Sequence, residues 1–140
     1  MQERLCSAFI KRVHDRLERD ANNTLRAQDL TMAQVGVLIE LYCVPEKQMP
    51  LKELERLLHV AQSTAAGIVV RLEQKGFVES FGDPNDRRIK MIRITSAGEK
   101  CCRIANQDMK MSEEKLLSVL SASEQSTFLD LLQKVCNSLS

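Results

Sequence analysis

Apolar side chains recur every fourth residue from Leu5 through Phe9, Val13, Leu17 and Ala21 to Leu25, with no glycine or proline between them. That spacing draws one stripe down a long first helix. Thr31-Met32-Ala33-Gln34 then has the form of a capping box and starts a second helix, whose apolar face is predicted to be Val35, Leu38, Ile39 and Tyr42. Residues 44–50, Val-Pro-Glu-Lys-Gln-Met-Pro, end it and are read as a loop, because proline disfavours helical geometry in the residue before it.

Two short amphipathic segments follow across the turn His59-Val60-Ala61. Leu51, Leu54, Leu57 and Leu58 form the face of the first, and Ala65, Ile68, Val69 and Leu72 that of the second. The pair predicts a helix-turn-helix over 51–74. Gly76 suits a left-handed C-terminal cap, and residues 77–81 have the length and composition of a strand. The turn Gly82-Asp83-Pro84-Asn85-Asp86-Arg87-Arg88 leads into a second strand at 89–94, which gives a β-hairpin wing with a basic tip.

Thr95 can cap a fifth helix with the imperfect stripe Cys101, Ala105, Met109, Leu116 and Leu120. Ser121-Ala122-Ser123-Glu124 is a second capping box, opening a last helix with the face Phe128, Leu132, Val135 and Leu139. The first and last helices carry more apolar surface than a small winged module needs, which points to a dimer interface. The fold class is mainly α with a small β-hairpin wing.

Composition narrows this picture. A chain of 140 residues is most simply one domain, and 44% hydrophobic with 28% charged residues is a globular balance. The longest apolar run is far too short for a membrane span, and Met1-Gln2-Glu3-Arg4-Leu5 has no signal-peptide core, so a cytoplasmic location without membrane attachment is expected. Net charge is only +1, although residues 52–93 are mildly basic. The odd set Cys6, Cys43, Cys101, Cys102 and Cys136, with no C-x-x-C, argues for reduced thiols and against zinc or haem. His14 and His59 read as surface or packing residues rather than ligands. No glycine-rich phosphate loop, G-x-S-x-G or H-E-x-x-H is present, so neither an enzyme nor a cofactor is expected.

Leu30-Thr31-Met32-Ala33-Gln34 with Val37-Leu38 and Leu41, Leu54 through Val60, Ser63-Thr64, Arg71 through Val78, Asp83-Pro84-Asn85-Asp86-Arg87-Arg88 and Ile94 through Gly98 together resemble the MarR family of bacterial transcription regulators. The resemblance covers about residues 30–98. It implies a single domain over 1–140, with dimerisation helices at 1–29 and 96–140 around a winged-helix lobe at 30–95. It further implies a homodimer on a pseudo-palindromic promoter site of double-stranded DNA, acting as a repressor and released by a small-molecule effector bound between the dimerisation helices and the lobe.

By the same resemblance, residues 62–75 are the recognition helix. Gln62, Ser63 and Thr64 face bases at its N-terminal end, with Gln62 suited to adenine, and Arg71 reaches a phosphate or base edge. Gly67 permits close backbone approach. In the wing, Arg88 corresponds to a minor-groove arginine, Asp86 to the carboxylate that orients it, and Arg87 and Lys90 to phosphate contacts. Ala61 and Lys52 depart from the family pattern, standing where capping side chains are usual, and Ala66 and Gly67 replace polar or basic side chains. Two alternatives share the fold. One is a thiol-switched repressor using Cys6, as some relatives sense peroxide from the first helix. The other is a winged-helix module for protein contacts, which leaves Arg87 and Arg88 without a purpose.

Overall fold

The structure, a computed structural model, describes residues 5–139. Among the described residues, six helices and three short strands follow one another as α1 (Cys6–Ala27), α2 (Met32–Cys43), β1 (Gln48–Pro50), α3 (Leu51–Leu58), α4 (Gln62–Gln74), β2 (Val78–Gly82), β3 (Lys90–Ile94), α5 (Ser96–Leu117) and α6 (Ala122–Asn137). Both capping boxes form. Thr31 Oγ1 accepts from the Gln34 N–H at 3.2 Å while Gln34 Oε1 accepts from the Thr31 N–H at 3.2 Å. Ser121 and Glu124 make the same reciprocal pair at the start of α6.

The α4 helix ends where Gly76 takes φ 80°. The Gly76 N–H then donates to Glu73 O at 3.0 Å and the Phe77 N–H to Leu72 O at 3.0 Å, a Schellman closure that turns the chain into the wing. Strands β2 and β3 pair antiparallel, with Glu79 opposite Arg93 and Ser80 opposite Ile92. Thr95 caps α5 through the Gly98 N–H.

Four expectations need correction. The segment read as a loop at 44–50 ends in β1, which pairs antiparallel with β3 so that the sheet order is β1-β3-β2. A strand of three residues ending in proline carries no alternation to detect, and Pro50 is tolerated because the strand is at the sheet edge. Ile39 is 42% exposed, whereas Val37 and Leu41 are completely buried: α2 is enclosed on more than one side, and Ile39 lies on the side left open. The α5 helix stops at Leu117, short of Leu120. Lys52 does not begin α3, whose N-cap is Pro50.

The core belongs to the lobe. Val37, Leu38 and Leu41 of α2, Leu54 of α3, Val69 and Leu72 of α4 and Ile92 of β3 have no exposed surface, and Met49, Val78, Ile94 and Cys102 close around them. Of the first-helix stripe only Leu25 is buried, Leu17 and Ala21 are half-buried, and Leu5, Phe9 and Val13 are exposed. The α1 helix is joined to α5 by Ser112 Oγ donating to Asp20 Oδ2 at 2.6 Å, a bond that holds the Asp20 carboxyl below its ordinary pKa. No residue of α6 is buried.

Candidate nucleic-acid interface

The α4 helix is held by one face, Ala65, Val69 and Leu72, and turns the other to solvent. Gln62, Ser63 and Thr64 are exposed at its start, followed by Gly67 and Arg71. Its N-cap, Ala61, makes no side-chain hydrogen bond, so the first amides of the helix are left to whatever meets that end. The preceding turn is set by His59, in left-handed geometry at φ 54°, with the Val60 N–H donating to Glu55 O at 3.2 Å. The two helices run Leu51–Leu58 and Gln62–Gln74, the second ending one residue before the expected 75.

The wing tip is built around two aspartates. Asp83 Oδ1 accepts from the Asn85 N–H at 2.8 Å, and the Asp83 N–H donates to Ile89 O at 3.0 Å to close the loop. Asp86 Oδ1 accepts from the Arg88 N–H at 3.1 Å and from Arg88 Nε at 3.0 Å, while Asp86 Oδ2 accepts from Arg88 Nη2 at 3.2 Å. This two-oxygen grip fixes a guanidinium whose side chain is otherwise 91% exposed. The Arg88 side chain, then its backbone N–H, hold the Asp86 carboxyl below the ordinary aspartate range. Arg87 and Lys90 stand exposed on either side of Arg88.

Below the tip, Arg93 Nε donates to Glu79 Oε1 across the strands at 2.7 Å, and its guanidinium lies 4.7 Å from the centre of the Phe81 ring. Both contacts stiffen the hairpin.

The resemblance implies an effector pocket between the first and last helices and the lobe but names no residue of it; a cleft lies where α4 meets the ends of α1 and α2. It has a volume of about 470 Å³ and is lined by Arg26, Thr31, Gln34, Arg71, Gln74 and Lys75, with Asp29 and Leu30. Lys75 Nζ donates to Gln34 Oε1 at 3.2 Å and also to the Asp29 carbonyl oxygen, and its ammonium lies 3.7 Å from the Asp29 carboxylate. Gln34 was legible only as a capping residue; its link to a lysine 41 positions away belongs to the fold. Val70, 43% exposed on the outward face of α4, was also missed, although it follows Ser63 by seven residues and so lies on the same stripe.

Cys6 is exposed in the first turn of α1, and Cys43 and Cys136 are also exposed; Cys101 is half-buried and Cys102 buried. Met1 to Arg4 lie outside the described residues. His14 has Asp15 and Glu18 within 4.8 Å. All three are exposed, with Asp15 bound to Lys11 at 2.8 Å and His14 3.4 Å from Glu18, the usual i, i+4 pairing of a solvated helix face. No helix of the described residues is long and apolar enough to cross a membrane.

A helix-turn-helix followed by a basic β-hairpin, flanked by long helices at both ends, defines a winged helix-turn-helix protein. The MarR family profile matches residues 30–90. The multiple antibiotic resistance protein MarR of Escherichia coli (strain K12) is 32% identical over 131 residues, 91% of this chain and 88% of that protein. Among solved structures, wild-type apo MarR from E. coli superimposes with a TM-score of 0.78 at 29% identity, covering 96% of this chain and 98% of that one. The C80S mutant of MarR from E. coli complexed with operator DNA superimposes with a TM-score of 0.68 at 30% identity, covering 92% and 91%. The chain belongs to the MarR family of transcription regulators.

Proposed function

We propose that the chain acts as a homodimeric repressor that binds a pseudo-palindromic site in promoter DNA. The observation that carries this reading is the wing-tip pair: Asp86 aims a nearly fully exposed Arg88 by three hydrogen bonds, on the same lobe as a recognition helix with exposed polar residues at its start. An arginine held in this way fits the narrow, strongly negative minor groove of A·T-rich DNA. Gln62, Ser63 and Thr64 enter the adjacent major groove, Gly67 lets the helix approach closely, and Arg71, Arg87 and Lys90 neutralise phosphates. The complex of the E. coli relative with operator DNA supports the same assignment. The activity is recognition and not catalysis.

In this reading residues 30–95 form the DNA-binding lobe of a single 1–140 domain, and 1–29 and 96–140 join two subunits. Phe9, Ile10 and Val13 on α1 and Leu129, Leu131, Leu132 and Val135 on α6 are at least 37% exposed, apolar side chains that a second copy of the chain would cover. Pairing across it would set two recognition helices about 34 Å apart, one turn of DNA. The cleft between the end of α1 and α4 supports a small-molecule effector, and Arg26, Arg71 and Lys75 suit an anionic one. A ligand there would bias the lobe relative to the subunit-joining helices.

Selection of sites from random duplex DNA by the purified, reduced protein tests the proposal. An enriched inverted repeat with half-site centres about 10 base pairs apart is the expected result. Retention of all sequences equally at low salt would overturn it.

A further inference from the structure

The outward face of α4 has an unusual character for a helix that meets DNA. Ser63, Gly67, Val70 and Gln74 fall on one side at the helical period, opposite the buried Ala65, Val69 and Leu72. Val70 sits near the middle of that side, 43% exposed, while its neighbour Val69 has no exposure. Gly67, one turn earlier, has nothing within 4 Å of where a Cβ would stand, so the side of Val70 toward that turn is left open.

From Gln62 to Val70 the helix has no lysine or arginine, and so lacks the side chains that pair with both major-groove acceptors of guanine. The thymine C5-methyl is the one apolar group that a standard base pair presents there. We infer that Val70 is a specificity determinant, packing against a thymine methyl in each half-site, so that α4 reads adenine through Gln62 and thymine through Val70. The inference rests on the DNA-binding reading and deepens it: the half-site core is A·T, the composition whose narrow minor groove also attracts Arg88. Val70 is then kept on a solvent-facing position by the methyl it covers.

The test uses the selected site, synthesised with deoxyuridine in place of each thymine in turn in both half-sites. The exchange removes one methyl and leaves every hydrogen-bonding atom in place. Wild-type protein is expected to lose roughly 3- to 10-fold in affinity at one position per half-site, the scale of one buried methyl per subunit. Val70→Ala should bind the unmodified duplex more weakly by a similar factor and be indifferent to deoxyuridine at that position, which closes a double-mutant cycle between side chain and methyl. The substitution lies on an exposed helix face and introduces a better helix former, so an unchanged melting temperature shows that the variant is folded. Val70→Ile should retain the thymine preference. Wild-type binding indifferent to every deoxyuridine, or the same deoxyuridine profile in Val70→Ala as in wild type, would overturn the inference and leave DNA binding intact. If no sequence is selected at all, it is the DNA-binding reading that fails.

Discussion

The Thr95 hydroxyl donates to the Gly76 carbonyl at 2.7 Å and accepts from the Gly98 N–H at 3.2 Å. One side chain thereby ties the C-terminal end of α4 to the start of α5, across the base of the wing. The Thr95 N–H reinforces it by donating to Phe77 O at 3.0 Å. At Gly98 the approach is so close that a Cβ would collide with the Phe77 carbonyl oxygen and the Ile94 side chain. Thr95→Val should therefore cost about 1–2 kcal/mol in denaturant unfolding, the worth of a cap and a bond to a carbonyl. Gly98→Ala should cost more than about 2 kcal/mol, because backbone must move. Equal midpoints for Gly98→Ala and wild type would refute the close approach.

The wing pair has a pH signature. The folded-state pKa of Asp86 is depressed, first by the Arg88 side chain and then by its backbone N–H. The ordering that it supplies is thus fully present above the ordinary aspartate value of about 3.9 and is lost as pH falls through the lower value of Asp86 itself. Carboxyl chemical shifts should place the Asp86 midpoint below that of an exposed aspartate. Arg88→Ala should raise it, though not completely, since the backbone donor remains. A midpoint that stays put in Arg88→Ala would show that the grip does not exist in solution.

The five cysteines should separate by reactivity. Burial, with help from neighbouring Cys101 and Cys43, pushes the Cys102 thiol up to about 11, so it stays protonated at neutral pH. Cys6, Cys43 and Cys136 are exposed. Peptide mapping after brief maleimide treatment of the native protein should find label on Cys43, which lies outside the proposed subunit seam, and none on Cys102, with Cys102 reacting only on unfolding. Early label on Cys102 would mean that α5 packs less closely on the lobe than the structure has it.

Much of this architecture could be read from the residues alone, and the failures have physical causes. Caps are local: Thr31 with Gln34 and Ser121 with Glu124 each lie within one helical turn, so their bonds follow from spacing. The Asp86–Arg88 pair is expected from the resemblance of the wing to the family, and its two side chains, two residues apart, do meet. By contrast, β1 depends on β3, more than forty residues later, and Gln48-Met49-Pro50 has no pattern of its own. Ile39 looked like core because it is apolar and properly spaced, yet whether a side of α2 is covered depends on what packs there. The cleft joins Arg26 of α1, Gln34 of α2 and Lys75 at the C-terminal cap of α4, a meeting that no local motif encodes.

The subunit interface gives a direct mass test. With Leu132 40% and Val135 56% exposed on α6, the pair Leu132→Glu and Val135→Glu puts charge into the proposed seam. Wild type should sediment at twice the 15.9 kDa chain mass at micromolar concentration, and the double variant at the mass of one chain. A wild-type monomer would remove the dimer and with it the expected two-fold site.

DNA affinity as a function of salt, for wild type and Arg88→Ala on the selected site and on a scrambled duplex, tests the central claim most directly. Wild type should prefer the selected site, with log affinity falling against log salt at a slope of about −7, as for roughly eight phosphate contacts by a dimer. Arg88→Ala should bind that site roughly 10- to 100-fold more weakly, the scale of losing one base-directed contact. Equal affinity for the two duplexes with no dependence on salt, or an Arg88→Ala curve that overlies wild type, would contradict the account.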